Sequence, residues 1–108
     1  MKLTRKSDPE RTVLSISGDL DIYHSHELRE NLLAALDESS RLEISFGNVS
    51  TVDLSFLQIL YSAYKTARIR ERELIVSGDF LPDPVALLCR QIGCHRDRFF
   101  ARYFSSRS

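Results

Sequence analysis

Four oxygen-bearing side chains, Ser50, Thr51, Asp53 and Ser55, crowd one short junction of this 108-residue chain. Before them Leu42-Glu43-Ile44-Ser45-Phe46 alternates apolar and polar as a strand does, and after them Leu57, Leu60, Tyr64 and Ala67 recur at helical spacing. The junction Val52-Asp53-Leu54-Ser55 therefore reads as a helix mouth, where backbone N–H groups lack partners and the helix dipole is positive. A serine hydroxyl there can carry a phosphate, which replaces a small neutral group by roughly −1.5 to −2 charge and three acceptor oxygens. Asp53 has two readings that stay open: an N-cap of the helix, or a carboxylate that contacts the attacking serine and a kinase's metal. Asp19 and Asp21 flank Leu20 upstream; Asp21 reads as ordering the turn into the next helix and Leu20 as core, while Ile22 and Tyr23 are candidates for the surface.

Other chemistry is poorly supported. His24-Ser25-His26 lacks a third ligand at a known spacing, and Cys89, Cys94 and His95 lack the four-ligand pattern of structural zinc, so no metal is expected. The two cysteines read as ordinary thiols, too few and wrongly spaced for a disulfide framework or a redox CxxC. No GxSxG elbow and no Gly-rich phosphate loop occur, and 4 glycines leave little room for a nucleotide cradle. No catalytic residue and no cofactor is expected. Arg96, Arg98, Arg102 and Arg107 interleave with Phe99, Phe100, Tyr103 and Phe104, a mixture that can grip single-stranded nucleic acid. Asp97 interrupts it, and an edge strand with packed aromatics and solvated arginines explains it better. Lys65, Arg68, Arg70 and Arg72 read as complementing a helix C-terminus.

The elements that would position these residues alternate in type. Residues 2–6 and 11–17 predict a hairpin across Ser7-Asp8-Pro9-Glu10, and Gly18-Asp19-Leu20-Asp21 reads as a loop. Leu28, Leu32, Ala35 and Leu36 predict a helix over 25–39 with Ser25 as its cap. A strand over 42–46, a helix over 54–70, a strand over 73–77 and a helix from Pro82 and Pro84 to Gly93 follow, and residues 98–104 read as an edge strand. Strands alternating with helices predict a mixed sheet of four to five strands with three main helices, in one α/β domain over 1–108.

Composition removes whole classes of function. Fifteen basic and fifteen acidic residues cancel to a net charge of zero, so nothing steers the chain toward nucleic acid or an anionic membrane. No apolar run of about 18 residues is present, so membrane insertion is not expected, and the chain reads as a soluble cytoplasmic protein.

Three segments resemble the STAS domain of bacterial anti-sigma-factor antagonists: Gly18-Asp19-Leu20-Asp21 with the helix to Leu36, the strand and turn from Leu42 to Val49, and Val52-Asp53-Leu54-Ser55-Phe56-Leu57-Gln58-Ile59-Leu60. The last segment in that family commonly reads Asp-Ser-Ser/Thr-Gly-Leu, and its third residue, phosphorylated by the partner kinase, falls on Ser55. The resemblance implies a STAS-like fold and a partner-switching regulator, not an enzyme, that binds an anti-sigma factor and serine kinase of the GHKL type. It implies a docking surface made of Asp19, Asp21, Tyr23, Ser50, Thr51, Asp53, Leu54, Phe56 and Leu57. Two departures stand out: Leu54 replaces the motif serine and Phe56 the glycine, which puts a bulky aromatic at the helix mouth, as an obstacle to a kinase or an anchor for another partner. The alternative within the fold is a non-phosphorylated accessory subunit that docks on the ATPase of a lipid or phospholipid ABC transporter. A small-ligand or nucleotide-binding domain is the reading from another class. Family members often carry one more helix after the last strand, and this chain stops too soon for a full one. Pairing of two chains through an edge strand stays open.

Overall fold

A computed structural model of the chain describes residues 1–78 and 80–104. Among them a four-stranded sheet runs in the order β1 (Lys2–Ser7), β2 (Arg11–Leu20), β3 (Arg41–Val52), β4 (Glu73–Val76). The expected hairpin forms: β1 is antiparallel to β2, and Asp8 Oδ1 accepts from the Glu10 and Arg11 N–H groups at 2.9 Å each. β2 pairs with β3 and β3 with β4 in parallel, which requires the crossover helices α1 (Ser25–Glu38) and α2 (Leu54–Ile69). Thr12, Leu14 and Ile16, Leu42 and Ile44, and Leu74 and Val76 fall on one sheet face and are buried, while Val13, Ser15, Glu43, Ser45 and Ile75 between them are less covered. The buried face packs against Leu28, Leu32, Ala35 and Leu36 of α1, the α2 stripe, and Val85 and Cys89 of α3 (Asp83–Ile92) in one core.

Three expectations of local structure are corrected. The segment from Gly18 to Asp21 is not a loop throughout: β2 continues to Leu20 and β3 to Val52, and irregularities of register on either side of Gly18, with φ 87°, let pairing resume as Asp19 opposite Thr51. Ser25 is not the cap of α1; a 3₁₀ turn (Ile22–His24) precedes the helix, Asp21 caps that turn by accepting from the Tyr23 N–H at 3.1 Å, and Ser25 donates back to the Ile22 carbonyl at 2.8 Å. The expected edge strand over 98–104 is a short helix, α4 (Arg98–Ala101). Phe99, Phe100 and Tyr103 stand at i, i+1 and i+4, a spacing that puts all three on one helical face but would put neighbours 99 and 100 on opposite faces of a strand. Their rings pack on α2, Phe99 against Tyr64 at 4.8 Å and Phe100 against Tyr61 at 6.4 Å, and the Tyr103 hydroxyl accepts from the Val76 N–H of β4 at 2.7 Å. Arg107 lies outside the described residues.

Cys89 and Cys94 are paired as a disulfide, not free. Gly93, with φ 85°, ends α3 in the left-handed conformation, and the turn brings Cys94 back to the last turn of the helix with Cα atoms 5.2 Å apart. No helix among the described residues is long and apolar enough to cross a membrane.

Candidate functional site

Asp53 organises the helix mouth. Its backbone holds the extended conformation of an N-cap, its N–H donates to the Leu20 carbonyl at 3.0 Å, and its carbonyl accepts from the Phe56 N–H at 3.1 Å. Its carboxylate reaches two elements at once. Oδ1 accepts from the Ser55 N–H at 3.0 Å and from the Ser55 hydroxyl, and Oδ2 accepts from the Ile22 N–H of the 3₁₀ turn at 2.9 Å. These donors, the Ser55 hydroxyl foremost, hold the carboxyl below its ordinary range against the opposing pull of burial, with the Ser55, Ile22 and Phe56 N–H groups adding to the effect. The geometry shows Asp53 as the N-cap of α2, and its carboxylate is also in contact with the Ser55 hydroxyl, as the other reading requires.

The neighbouring aspartates are also placed by hydrogen bonds. Thr51 donates to Asp19 Oδ1 at 2.9 Å across the β2–β3 pair, which ties the two chain segments of the candidate surface together. Asp21 orders the turn and meets His24 Nδ1 at 2.7 Å. Ser50, Thr51 and Asp19 are exposed, whereas Asp21, Asp53 and Ser55 are half-buried. Around them stand exposed apolar side chains: Tyr23 is 90% exposed, Ile22 59% and Leu54 45%. The backbone therefore brings residues 19–23 and 50–55 to one end of the sheet.

Two residues leave the candidate surface. Phe56 and Leu57 are each 2% exposed and belong to the core. Phe56 turns inward from the first turn of α2 and meets Phe46 of β3 edge-on, with ring centroids 6.0 Å apart. It neither blocks access to Ser55 nor presents an anchor. The signal was in the sequence: Phe56 lies four residues before Leu60 and seven before Ala63, at the head of the apolar stripe.

Spacing did not reveal that Arg29 and Leu33 of α1 stand beside Ser55. An open groove of about 380 Å³ between α1 and α2 is lined by Ser55 together with Ile22, Arg29, Leu33, Gln58 and Ile59 among others. Ser55 thus stands where the Asp53 cap, the exposed turn and this groove meet. His26 lies 3.7 Å from Glu30, and among the described residues no three His, Cys, Asp or Glu side chains gather as metal ligands would.

A mixed sheet with an opening hairpin and crossover helices on one face is the architecture of a STAS domain. The chain matches the family model described as Mlab, STAS domain over residues 3–98, and it belongs to that family. The fold resembles the anti-sigma-factor antagonist SpoIIAA in its unphosphorylated form, with TM-score 0.69, 15% identity, and 85% of this chain and 81% of that one covered. The Bacillus cell fate determinant SpoIIAA in its phosphorylated form gives TM-score 0.67 at 16% identity over 85% and 83%. An anti-sigma-factor antagonist from Mycobacterium paratuberculosis gives 0.68 at 18% identity over 88% and 80%. At these identities the likeness is one of fold.

Proposed function

We propose that the chain is an anti-sigma-factor-antagonist-like regulator that acts by binding, without catalysis of its own, and that phosphate on Ser55 controls the binding. The observation that carries this reading is the Asp53 carboxylate, which holds the Ser55 hydroxyl with one oxygen and the Ile22 N–H with the other. Residues 19–23 and 50–55, with exposed Ile22, Tyr23 and Leu54, form the surface that a GHKL-type serine kinase and anti-sigma factor would cover. In the transfer the Ser55 oxygen bonds to the γ-phosphorus of the kinase's ATP, the bond to the β,γ-bridging oxygen breaks, ADP leaves, and the hydroxyl proton passes to a base on the kinase. Ser55 can no longer donate to Asp53, and two negative groups are left side by side. Each pair of unit charges at about 4 Å repels by roughly 1–4 kcal/mol between bulk water and a partly shielded surface. The helix start tolerates the phosphate through its N–H donors and dipole, so the fold survives. The strain falls on the tie between Asp53 and Ile22, and the partner's surface meets a charge where it was built for a hydroxyl.

The solved forms of SpoIIAA, one unphosphorylated and one phosphorylated, support the plausibility of such a switch in this fold. The test is incubation with the cognate kinase and ATP, followed by mass spectrometry of peptides. Phosphate on Ser55 is expected; phosphate elsewhere, or none, removes Ser55 from the role.

One observation favours a second reading. The Ser55 side chain is half-buried and lines the groove between α1 and α2, where a partner can dock without the hydroxyl being modified. A STAS accessory subunit docked on the ATPase of a phospholipid transporter would need no more. Reconstitution with purified ATPase subunit and no kinase separates the two: a stable complex supports the accessory role, and its absence supports the switch.

A further inference from the structure

The two arginine-bearing segments, read separately in the sequence, meet in the folded chain. Arg68 and Arg72, from the end of α2 and the turn after it, and Arg98 and Arg102, from α4 and just beyond it, line one open cavity of about 350 Å³. The carboxylate in its lining, Glu73, is taken by Arg41 at 3.0 Å. Among the described residues none of the four arginines is ion-paired, whereas Arg5, Arg11, Arg41 and Arg70 each sit on a carboxylate. Asp97, beside Arg98 in sequence, lines a different hollow with Leu57 and Tyr61. Two of the four are held by aromatic groups instead. Arg68 donates to the Tyr64 hydroxyl at 3.1 Å and lies 5.9 Å from that ring's centre, and Arg102 lies 6.0 Å from the centre of the Tyr103 ring. An aromatic face orients a guanidinium without neutralising it.

Complementing a helix C-terminus accounts for Arg68, in the last turn of α2, but not for Arg98 and Arg102 arriving from another element. A general basic excess is excluded by the zero net charge of the chain. The concave shape favours a compact ligand over a bilayer or a duplex, and the volume falls within the roughly 300–1,000 Å³ of small-molecule sites. We infer that this cavity is a binding site for a small, multiply charged organic phosphate, whose oxygens the guanidinium forks take bidentately while Tyr64 supplies an apolar wall. Arg68 lies thirteen residues along α2 from Ser55, about 20 Å at helical rise, so the site is separate from the docking surface and does not rest on the Ser55 reading.

Calorimetric titration with ADP and with inorganic pyrophosphate tests it. Saturable one-to-one binding that weakens with added salt is expected, with ADP at least as tight as pyrophosphate. The paired variant Arg68→Gln/Arg102→Gln should weaken ADP binding about tenfold or more, as should Arg72→Gln/Arg98→Gln, with circular dichroism confirming that each is folded. Arg5→Gln, on the far edge strand, should bind as the native chain does. Absence of saturable binding by both ligands overturns the inference, as does undiminished binding by both paired variants. Binding only to phosphatidylglycerol vesicles, or only to a single-stranded oligonucleotide, overturns it in favour of a surface for a lipid or a polymer.

Discussion

Replacing Asp53 probes the cap and the tie to the turn together, because one carboxylate serves both. Asp53→Ala removes the cap of α2, which costs about 1 kcal/mol. It also removes the hydrogen bond from the exposed Ile22 N–H to the carboxylate, for about 1 kcal/mol more. The sum of about 2 kcal/mol corresponds to a melting temperature lower by about 8 °C for a domain of this size. Asp53→Asn separates the two contributions, since asparagine caps as well as aspartate but has one acceptor oxygen, and it should lose about 1 kcal/mol. The pH dependence has a fixed sign. A carboxyl held below its ordinary value of 3.8 contributes its full stability above that pH and loses it as pH falls through the lower folded value. Urea unfolding of the native chain and Asp53→Asn from pH 7 to pH 3 should therefore show a gap that is constant near neutrality and narrows in acid. Equal stability of all three proteins at pH 7, or a gap that does not narrow in acid, refutes the reasoning.

Phe56→Ala should destabilise the fold by about 3–5 kcal/mol in urea, as loss of a core phenylalanine does; a variant of native stability that only bound its partner less well would return Phe56 to the interface. Tyr103→Phe takes the acceptor from the Val76 N–H of the edge strand and should cost about 1–3 kcal/mol, with faster hydrogen exchange at Val76; native-like exchange there would show that Tyr103 does not close that edge.

Much of the fold could be read from periodicity. The alternation in β2 and β3, the stripes of α1 and α2 and the glycine stop of α3 are local patterns, and each element formed where its pattern stood. What escaped depends on contacts between distant segments. The extension of β2 past Gly18 needs β3 beside it, and the pairing of Asp19 with Thr51 cannot be seen in either segment alone. Phe56 occupies the position of the family glycine, which suggests the surface, but its spacing to Leu60 places it in the core. The aromatic content of the tail suits an edge strand, but the one-face spacing of Phe99, Phe100 and Tyr103 is that of a helix. The position of Ser55 and Asp53 at a helix mouth was legible, but the link from Asp53 to Ile22, which joins cap to docking turn, is a tertiary bond without a sequence signature.

The most direct measurement compares partner affinity for the unmodified chain and for the chain phosphorylated on Ser55, with Ser55→Asp as a mimic and a thermal melt on each. Loss of about a hundredfold or more in affinity, equivalent to about 3 kcal/mol, with a melting temperature changed by only a few degrees, is the expected result. Equal affinity for the two forms, both folded, would contradict a switch at Ser55.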